Sequence, residues 1–372
     1  MAHFYLPRAL SFTTEDLRQA DRPEAVLDYL ALPETLRSAL IFAWQWVHGY
    51  ESFEVPTSGS TGSPQLITVS RRRMLVSVGM TQQALSLTRQ NAALLSLNPD
   101  FIGGRMMLAR ALQLGMNMVW VSPSAHPLRE FTHRVDFLAL VPLQLQTILA
   151  DDASYLNKKH VILVGGAPVS ARLEEAIRAQ VRSPVYSTYG MTETLSHVAL
   201  RRLNGAEASP YFRILGDTRF GTDERGCLTL RGSITDHQWL ITNDLVEIVD
   251  ARHFRWQGRY DWVINSGGVK VSPEQLEPIL ESTLVAFYEA RGQPPPRFFV
   301  AGVPDERLGE RVVLFVEAPG AGDNRTAEIL NELKARLPPY HAPQEIKHTT
   351  TFAETRSGKI DRRTTVGNFP DG

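Results

Sequence analysis

The chain has 372 residues, enough for two or three domains. With 43% hydrophobic and 21% charged residues it falls outside the disordered and collagen-like classes. A net charge of −1 gives no general surface for a polyanion such as nucleic acid, although a local basic pocket stays open. The single cysteine, Cys227, excludes an intramolecular disulfide and a cysteine zinc site; in CLTL it reads as a small apolar strand residue. The opening MAHFYLPRAL does not have the pattern of a secretory leader. No run reaches the roughly 18 apolar residues of a spanning helix. The expected compartment is cytoplasmic.

In chain order, 1–56 reads as a polar, partly helical lead-in, with Ser38 to Val47 apolar enough to dock on a core. An α/β alternation follows over 57–210. Helical patterns occupy Gln82 to Leu87, Gly103 to Leu114, Leu143 to Leu149 and the run after Ser170, a helix-capping residue. Strand patterns occupy Ala92 to Leu97, Asn117 to Val121, Phe137 to Val141, His160 to Val164 and Val185 to Tyr189. Such alternation predicts a layered α/β architecture. Over 211–260 the texture changes to short strands with Gly and Asp turns (FRILG, CLTLRG, QWLIT, LVEIVD), which predicts a small antiparallel β subdomain. A compact α+β domain is expected over 261–372: a helix from Pro273 to Ser282, strands RFFVAGV and RVVLFVEA, a helix from Ala327 to Leu337, and a polar tail.

Four runs carry chemistry. TSGSTGSPQ (57–65) offers hydroxyls and unhindered backbone N–H groups of the kind that cradle phosphate, but it departs from the G-x-x-x-x-G-K-[ST] loop and alone reads equally as a flexible surface loop. YSTYGMTE (186–193) puts an aromatic, a hydroxyl and a carboxylate where a strand ends and Gly190 turns the chain, the usual ligand edge of an open α/β sheet. An aromatic can stack on a base and a carboxylate can hold magnesium beside phosphates, though a plain strand–turn–helix fits too. TNDL (242–245) and GRYD (258–261) supply an Asp suited to ribose hydroxyls and an Arg suited to a hydroxyl or phosphate, although each taken alone reads more readily as a turn Asp and a surface Arg. NSGGVKVSPEQLE (265–277) and SGKID (357–361) each put a Lys beside a glycine turn, although a lone tail lysine such as Lys359 ordinarily faces solvent.

In this order, TSGSTGSPQ, GGAP (165–168), YSTYGMTE, TNDL, GRYDWVINSGGVKVSPEQLE and SGKIDR resemble the motif series of the adenylate-forming acyl-CoA synthetase superfamily, from about Thr57 to Arg362. LNPDFIGGRMMLARAL, GGAPVSARLEEAI and TYGMTETLSHVALR are similar to the short bacterial o-succinylbenzoate–CoA ligases of menaquinone biosynthesis. The resemblance implies that family's fold, with a mobile C-terminal domain, and two half-reactions: ATP and an acid form an acyl-adenylate, and coenzyme A then displaces AMP. It implies that Thr57, Ser58, Gly59, Ser60, Thr61 and Gly62 close on the ATP phosphates. Gly166, Ala167, Tyr189, Gly190 and Met191 would line the adenine site. Thr192 would meet the α-phosphate, Glu193 would hold Mg2+, and Asp244 with Arg259 would bind the ribose. Asp261 would be the hinge, and Lys359 would serve adenylate formation. Gly267, Gly268 and Lys270 would line the coenzyme A tunnel.

The acyl pocket is expected from Phe101, Gly104, Arg105, Ser196 and His197, with Arg105 either anchoring the acid's second carboxylate or standing as a surface arginine on an amphipathic helix. Two departures stand out. The phosphate loop usually ends in Lys and here ends in Gln65, and relatives place a long extra subdomain before that loop. The expected partners are a small-molecule acid, ATP and coenzyme A, with no nucleic acid and no membrane span. A homodimer is compatible with the resemblance. Another aryl or fatty acid–CoA ligase, a carrier-protein loader and a non-catalytic nucleotide-binding remnant remain alternatives.

Overall fold

The computed structural model describes all residues except 8–9, 28, 57–65, 130–132, 319–324, 356–359 and 370–372, and of 31 the backbone alone. The chain divides into two compact units. The first comprises Met1–Gly221, Leu230–Leu240 and Ile248–Arg255; the second comprises Thr222–Thr229, Ile241–Glu247 and Trp256–Gly372.

The first unit begins with β1 (His3–Tyr5), β2 (Ser11–Thr13), α1 (Thr14–Gln19), α2 (Glu34–Val47), β3 (Ser52–Pro56), β4 (Leu66–Ser70) and α3 (Arg71–Leu85). The alternation then runs β5 (Ala92–Leu95), α4 (Ile102–Leu114), β6 (Asn117–Trp120), β7 (Phe137–Leu140), α5 (Pro142–Asp152), β8 (Val161–Val164), α6 (Ala171–Gln180), β9 (Val185–Gly190), β10 (His197–Arg202) and β11 (Phe212–Ile214). Strands lie in the order β11-β10-β9-β8-β7-β5-β6-β1-β2. The stretch from β9 to β1 is parallel. Strands β7 and β8, FLAL and VILV, are buried along their whole length. Their continuous apolar runs follow from coverage on both faces, with Leu145, Ile148, Leu173 and Ile177 of α5 and α6 packing on Leu138, Leu140, Ile162 and Val164. Ser170 Oγ caps α6 by accepting from the Leu173 N–H at 3.2 Å.

The polar lead-in expected over 1–56 is corrected here. Its strands extend the sheet, β1 pairing in parallel with β6 and antiparallel with β2. Phe4 and Phe12 stack 4.9 Å apart, and both meet the Trp120 ring edge-on. Strands of three residues are too short for an alternation signal; the neighbouring strand makes them.

Strands β12 (Arg219–Thr222), β13 (Cys227–Arg231), β14 (Leu240–Ile248) and β15 (His253–Arg259) contain the points where the chain passes between units. QWLIT and LVEIVD, expected as two strands, form the single nine-residue β14. The second unit continues with β16 (Ile264–Ser266), β17 (Val269–Val271), α7 (Pro273–Glu289), β18 (Arg297–Asp305), β19 (Gly309–Glu317), α8 (Arg325–Arg336), β20 (Glu345–Thr349) and α9 (Arg362–Gly367). Leu276, Leu280 and Leu284 of α7 and Ile329 and Leu333 of α8 pack on Val312 and Leu314. The expected polar tail is structured: β20 pairs in parallel with β19, and Asp361 caps α9 by accepting from the Thr364 N–H at 3.0 Å.

Candidate active site

In the first unit the candidate residues gather at the carboxyl ends of β8 and β9, the edge where an open α/β sheet binds ligands. Gly165 lies so close to β9 that a Cβ there would come within 2.1 Å of Thr188 Oγ1. The next two residues, Gly166 and Ala167, are exposed, and Gly166 has φ +83°. The half-buried Tyr189 ring packs against Phe254 at 5.3 Å and Phe212 at 5.8 Å. Gly190 was expected to turn the chain. It instead ends β9 in register with His197, where a Cβ would sit 2.3 Å from the Ser196 carbonyl oxygen. The turn itself falls at Met191–Ser196. Thr194 Oγ1 accepts from the Met191 N–H at 3.0 Å and lies 2.8 Å from the Ser196 carbonyl. This leaves Thr192 half-buried and the Glu193 side chain exposed.

The acyl-pocket candidates lie along α4 and the start of β10. Phe101 precedes α4 in an extended conformation. Gly104 sits where a Cβ would come 2.5 Å from the Asn98 carbonyl oxygen, so only glycine lets the helix approach that loop. Arg105 donates Nε to the Pro99 carbonyl at 3.0 Å and Nη1 to the Glu54 carbonyl, and lies 5.9 Å from the Phe42 ring centre. Two of its donor atoms are therefore committed to main-chain oxygens.

Five residues further along α4 is a cation of a different kind. Arg110 is 3% exposed, and no carboxylate pairs with it among the described residues. Its Nη2 donates to Ser196 Oγ at 2.8 Å and its Nε to Thr81 Oγ1 at 3.3 Å. Burial pushes the Arg110 guanidinium down to about 9. His197 Nε2 lies 3.0 Å from Thr81 Oγ1, and burial followed by the Arg110 charge hold His197 well below its usual 6.5, so the imidazole is neutral at pH 7. The result is a buried, unneutralised cation among hydroxyls and a neutral imidazole, an environment that suits an anion.

In the second unit, Asp244 lies in the middle of β14 rather than at a strand end. Its Oδ1 accepts from Trp256 Nε1 at 3.2 Å. Arg259 places a two-pronged fork on Asp261, Nε to Oδ1 at 3.2 Å and Nη2 to Oδ2 at 3.0 Å. Burial pulls the guanidinium down, but the hydrogen bond and charge of Asp261, with Asp244 and Glu274 behind, raise it overall. Gly267 and Gly268, at φ +60° and +81°, form the two-residue turn between β16 and β17. A Cβ on Gly267 would press on the Tyr340 ring at 2.9 Å. Lys270 is exposed on β17.

A family model described as AMP-binding enzyme matches residues 55–224, and one described as AMP-binding enzyme C-terminal domain matches 297–359. A crystal structure of an acyl-CoA synthetase (AMP-forming)/AMP-acid ligase II-like protein from Dyadobacter fermentans is 38% identical, with a TM-score of 0.62, over 95% of this chain and 98% of that one. The chain belongs to the AMP-binding enzyme family. The 2-succinylbenzoate–CoA ligase of Salmonella typhimurium is 28% identical over 323 residues, 82% of this chain and 66% of that protein. This chain thus spans just under two thirds of that relative's length. The o-succinylbenzoate coenzyme A synthetase of Bacillus subtilis, solved in complex with ATP and magnesium ion, shares the fold at 21% identity and a TM-score of 0.67, over 84% of this chain and 69% of that one.

Two expectations of an AMP-binding enzyme, the phosphate loop 57–65 with its terminal Gln65, and Lys359, lie outside the described residues. The loop's flanks are described: Pro56 and Leu66 pair across the β3–β4 hairpin. Among the described residues a single carboxylate, Glu193, suits a magnesium ion. The exposed Glu193 carboxylate makes no hydrogen bond or ion pair among the described residues, and Mg2+ typically takes one or two carboxylates together with substrate phosphates. Sequence reasoning missed Arg110 and Thr81. A charge inside the apolar run MMLARAL was the available signal, since charged residues are almost never fully buried without purpose.

Proposed function

We propose that this chain is an ATP-dependent carboxylate–CoA ligase acting through an acyl-adenylate, with o-succinylbenzoate as its acid. The observation that carries the substrate assignment is Arg110, a buried guanidinium with no carboxylate partner among the described residues, next to Ser196 and His197. o-Succinylbenzoate has two carboxylates; one reacts and the other needs a counter-charge. Arg110 takes this anchoring role in place of Arg105, two of whose donor atoms are engaged by the Pro99 and Glu54 carbonyls. The name of the Salmonella relative points to the same acid.

In the first half-reaction an oxygen of the acid's carboxylate bonds to the α-phosphorus, and pyrophosphate leaves with the electrons of the broken P–O bond. In the second, the coenzyme A sulfur bonds to the acyl carbon, its proton goes to solvent, and AMP leaves. The protein's share is to orient two anions and neutralise charge between them. Tyr189 stacks on adenine beside Gly166, Ala167, Gly190 and Met191, and Asp244 and Arg259 hold the ribose. Thr192 donates to the α-phosphate, and Lys359 stabilises its oxygens. Magnesium, when bound at Glu193, supplies further neutralisation of phosphate charge. After adenylate formation the C-terminal part turns about Asp261 and presents the Gly267–Lys270 hairpin to the thiol arm. A cytoplasmic location, where ATP and coenzyme A are supplied, accompanies this reading.

The test is pyrophosphate release from ATP, Mg2+ and o-succinylbenzoate, with and without coenzyme A, beside Lys359→Ala. Release that requires this acid, yields its thioester and falls about a hundredfold or more in the variant is expected. Turnover with benzoates or fatty acids alone would discard the acid and keep the chemistry. Silence with every acid would leave a nucleotide-binding remnant.

A further inference from the structure

The side chain that holds the Thr192–Thr194 turn in place comes from far away in sequence. Arg73, in the first turn of α3, donates Nη2 to the Glu193 carbonyl and Nε to the Ile234 carbonyl at 3.0 Å. Its Nε also lies 3.7 Å from the Asp236 carboxylate, which pairs with Arg72 as well. The helix beneath it is anchored, because Ser70 Oγ accepts from the Arg73 N–H at 3.3 Å. A cavity of about 150 Å³ opens beside this cluster, lined by Arg73, Glu193, Asp236 and Trp239 among others.

We infer that Arg73 is a positioning residue for Glu193: by gripping the Glu193 carbonyl it fixes the backbone from which the free carboxylate reaches toward the metal–phosphate site. The inference rests on the ligase reading above. Its physical basis is the division of labour within one residue. The Glu193 carboxylate has no partner among the described residues, so nothing on the side chain itself selects its direction. The Glu193 carbonyl is the handle, and Arg73 holds it. A guanidinium suits this task because its rigid fork can serve two carbonyls on two separate turns at once, whereas an ammonium is a flexible point donor. Partners behind a metal ligand commonly set its orientation, and their loss weakens metal affinity.

The test is calorimetric titration of ATP, in Mg2+ and in EDTA, into wild type, Arg73→Met, Arg73→Lys, Glu193→Gln and the double variant Arg73→Met/Glu193→Gln, with thermal midpoints recorded for each. Wild type should bind ATP more tightly in Mg2+. Arg73→Met should lose about tenfold or more of that magnesium-dependent gain, with its EDTA affinity changed less than about twofold. Arg73→Lys, which keeps the charge and safeguards folding, should lose an intermediate amount. The double variant should bind as Glu193→Gln alone does, because the two residues act as one unit. Equal weakening in Mg2+ and EDTA, additive losses in the double variant, or no loss would overturn the inference while leaving the ligase reading intact. Absence of ATP binding by wild type would defeat the ligase reading and this inference with it.

Discussion

Arg110 in the first unit and Arg362 in the second are both substantially buried, and their surroundings are opposite. Arg362 Nη2 meets Glu277 Oε2 at 2.9 Å, and its guanidinium lies 4.5 Å from the Trp262 ring centre and 5.6 Å from that of Phe299. Glu277 in turn accepts the Val300 N–H at 2.9 Å, so the pair is tied into α7 and β18. Arg110 has hydroxyls and a thioether sulfur around it and no carboxylate among the described residues. A cation with a built-in counter-ion holds a structure together. A cation buried without one is a standing cost, explained when a ligand supplies the missing charge.

The largest expected effect comes from giving up the charge at Arg110. Arg110→Met should raise the KM for o-succinylbenzoate about a hundredfold, as loss of one partner of a desolvated charge pair does. Its urea-unfolding free energy should stay level or rise by about 1 kcal/mol, because the burial penalty goes with the charge. A fall in stability with an unchanged KM would erase the distinction between the two arginines. The converse belongs to Arg362: Arg362→Met should cost roughly 3 kcal/mol by urea unfolding, since Glu277 is left buried without its partner. Burial already pushes Glu277 up despite Arg362, so the stranded carboxyl should titrate higher still in the variant. Next in size is Gly190→Ala, whose Cβ would have to displace the Ser196 carbonyl from 2.3 Å. A loss of about 2 kcal/mol by thermal unfolding is expected, of the size seen on overpacking.

The smallest effect is a pH dependence. His197 is neutral in the folded chain below 6.5 because burial and then Arg110 depress it. The unfolded chain therefore binds more protons there, and stability should drop as pH falls below 6.5, with a slope of at most about 1.4 kcal/mol per pH unit from this residue. In His197→Gln the slope of unfolding free energy between pH 6.5 and 5 should be shallower. An unchanged slope would mean that His197 does not titrate in this way.

Legibility differed sharply between elements. FLAL and VILV were readable as strands because a covered parallel strand is apolar at every position, and Ser170 was readable as a cap because its hydroxyl serves the helix three residues on. Strands β1 and β2 were not, because three residues carry no period and the pairing partner β6 lies far along the chain. The candidate site split in the same way. Tyr189, Gly190, Met191, Thr192 and Glu193 stood in one contiguous run, and local sequence suffices for a run. Arg110, Thr81, Ser196 and His197 come from three elements, α3, α4 and the entry to β10, so no window of sequence contains their meeting.

What the sequence determined by itself was the α/β alternation, the family and the order of its motifs, because periodicity, caps and glycine turns act over a few residues. Only the tertiary structure decided what surrounds each arginine. Arg105 and Arg110 sit five positions apart on one helix and read alike as letters, yet main-chain carbonyls take two donor atoms of one, while the other is buried with no counter-ion among the described residues. Desolvation and pairing depend on everything within a few ångströms in three dimensions, and that neighbourhood exists only once the chain has folded.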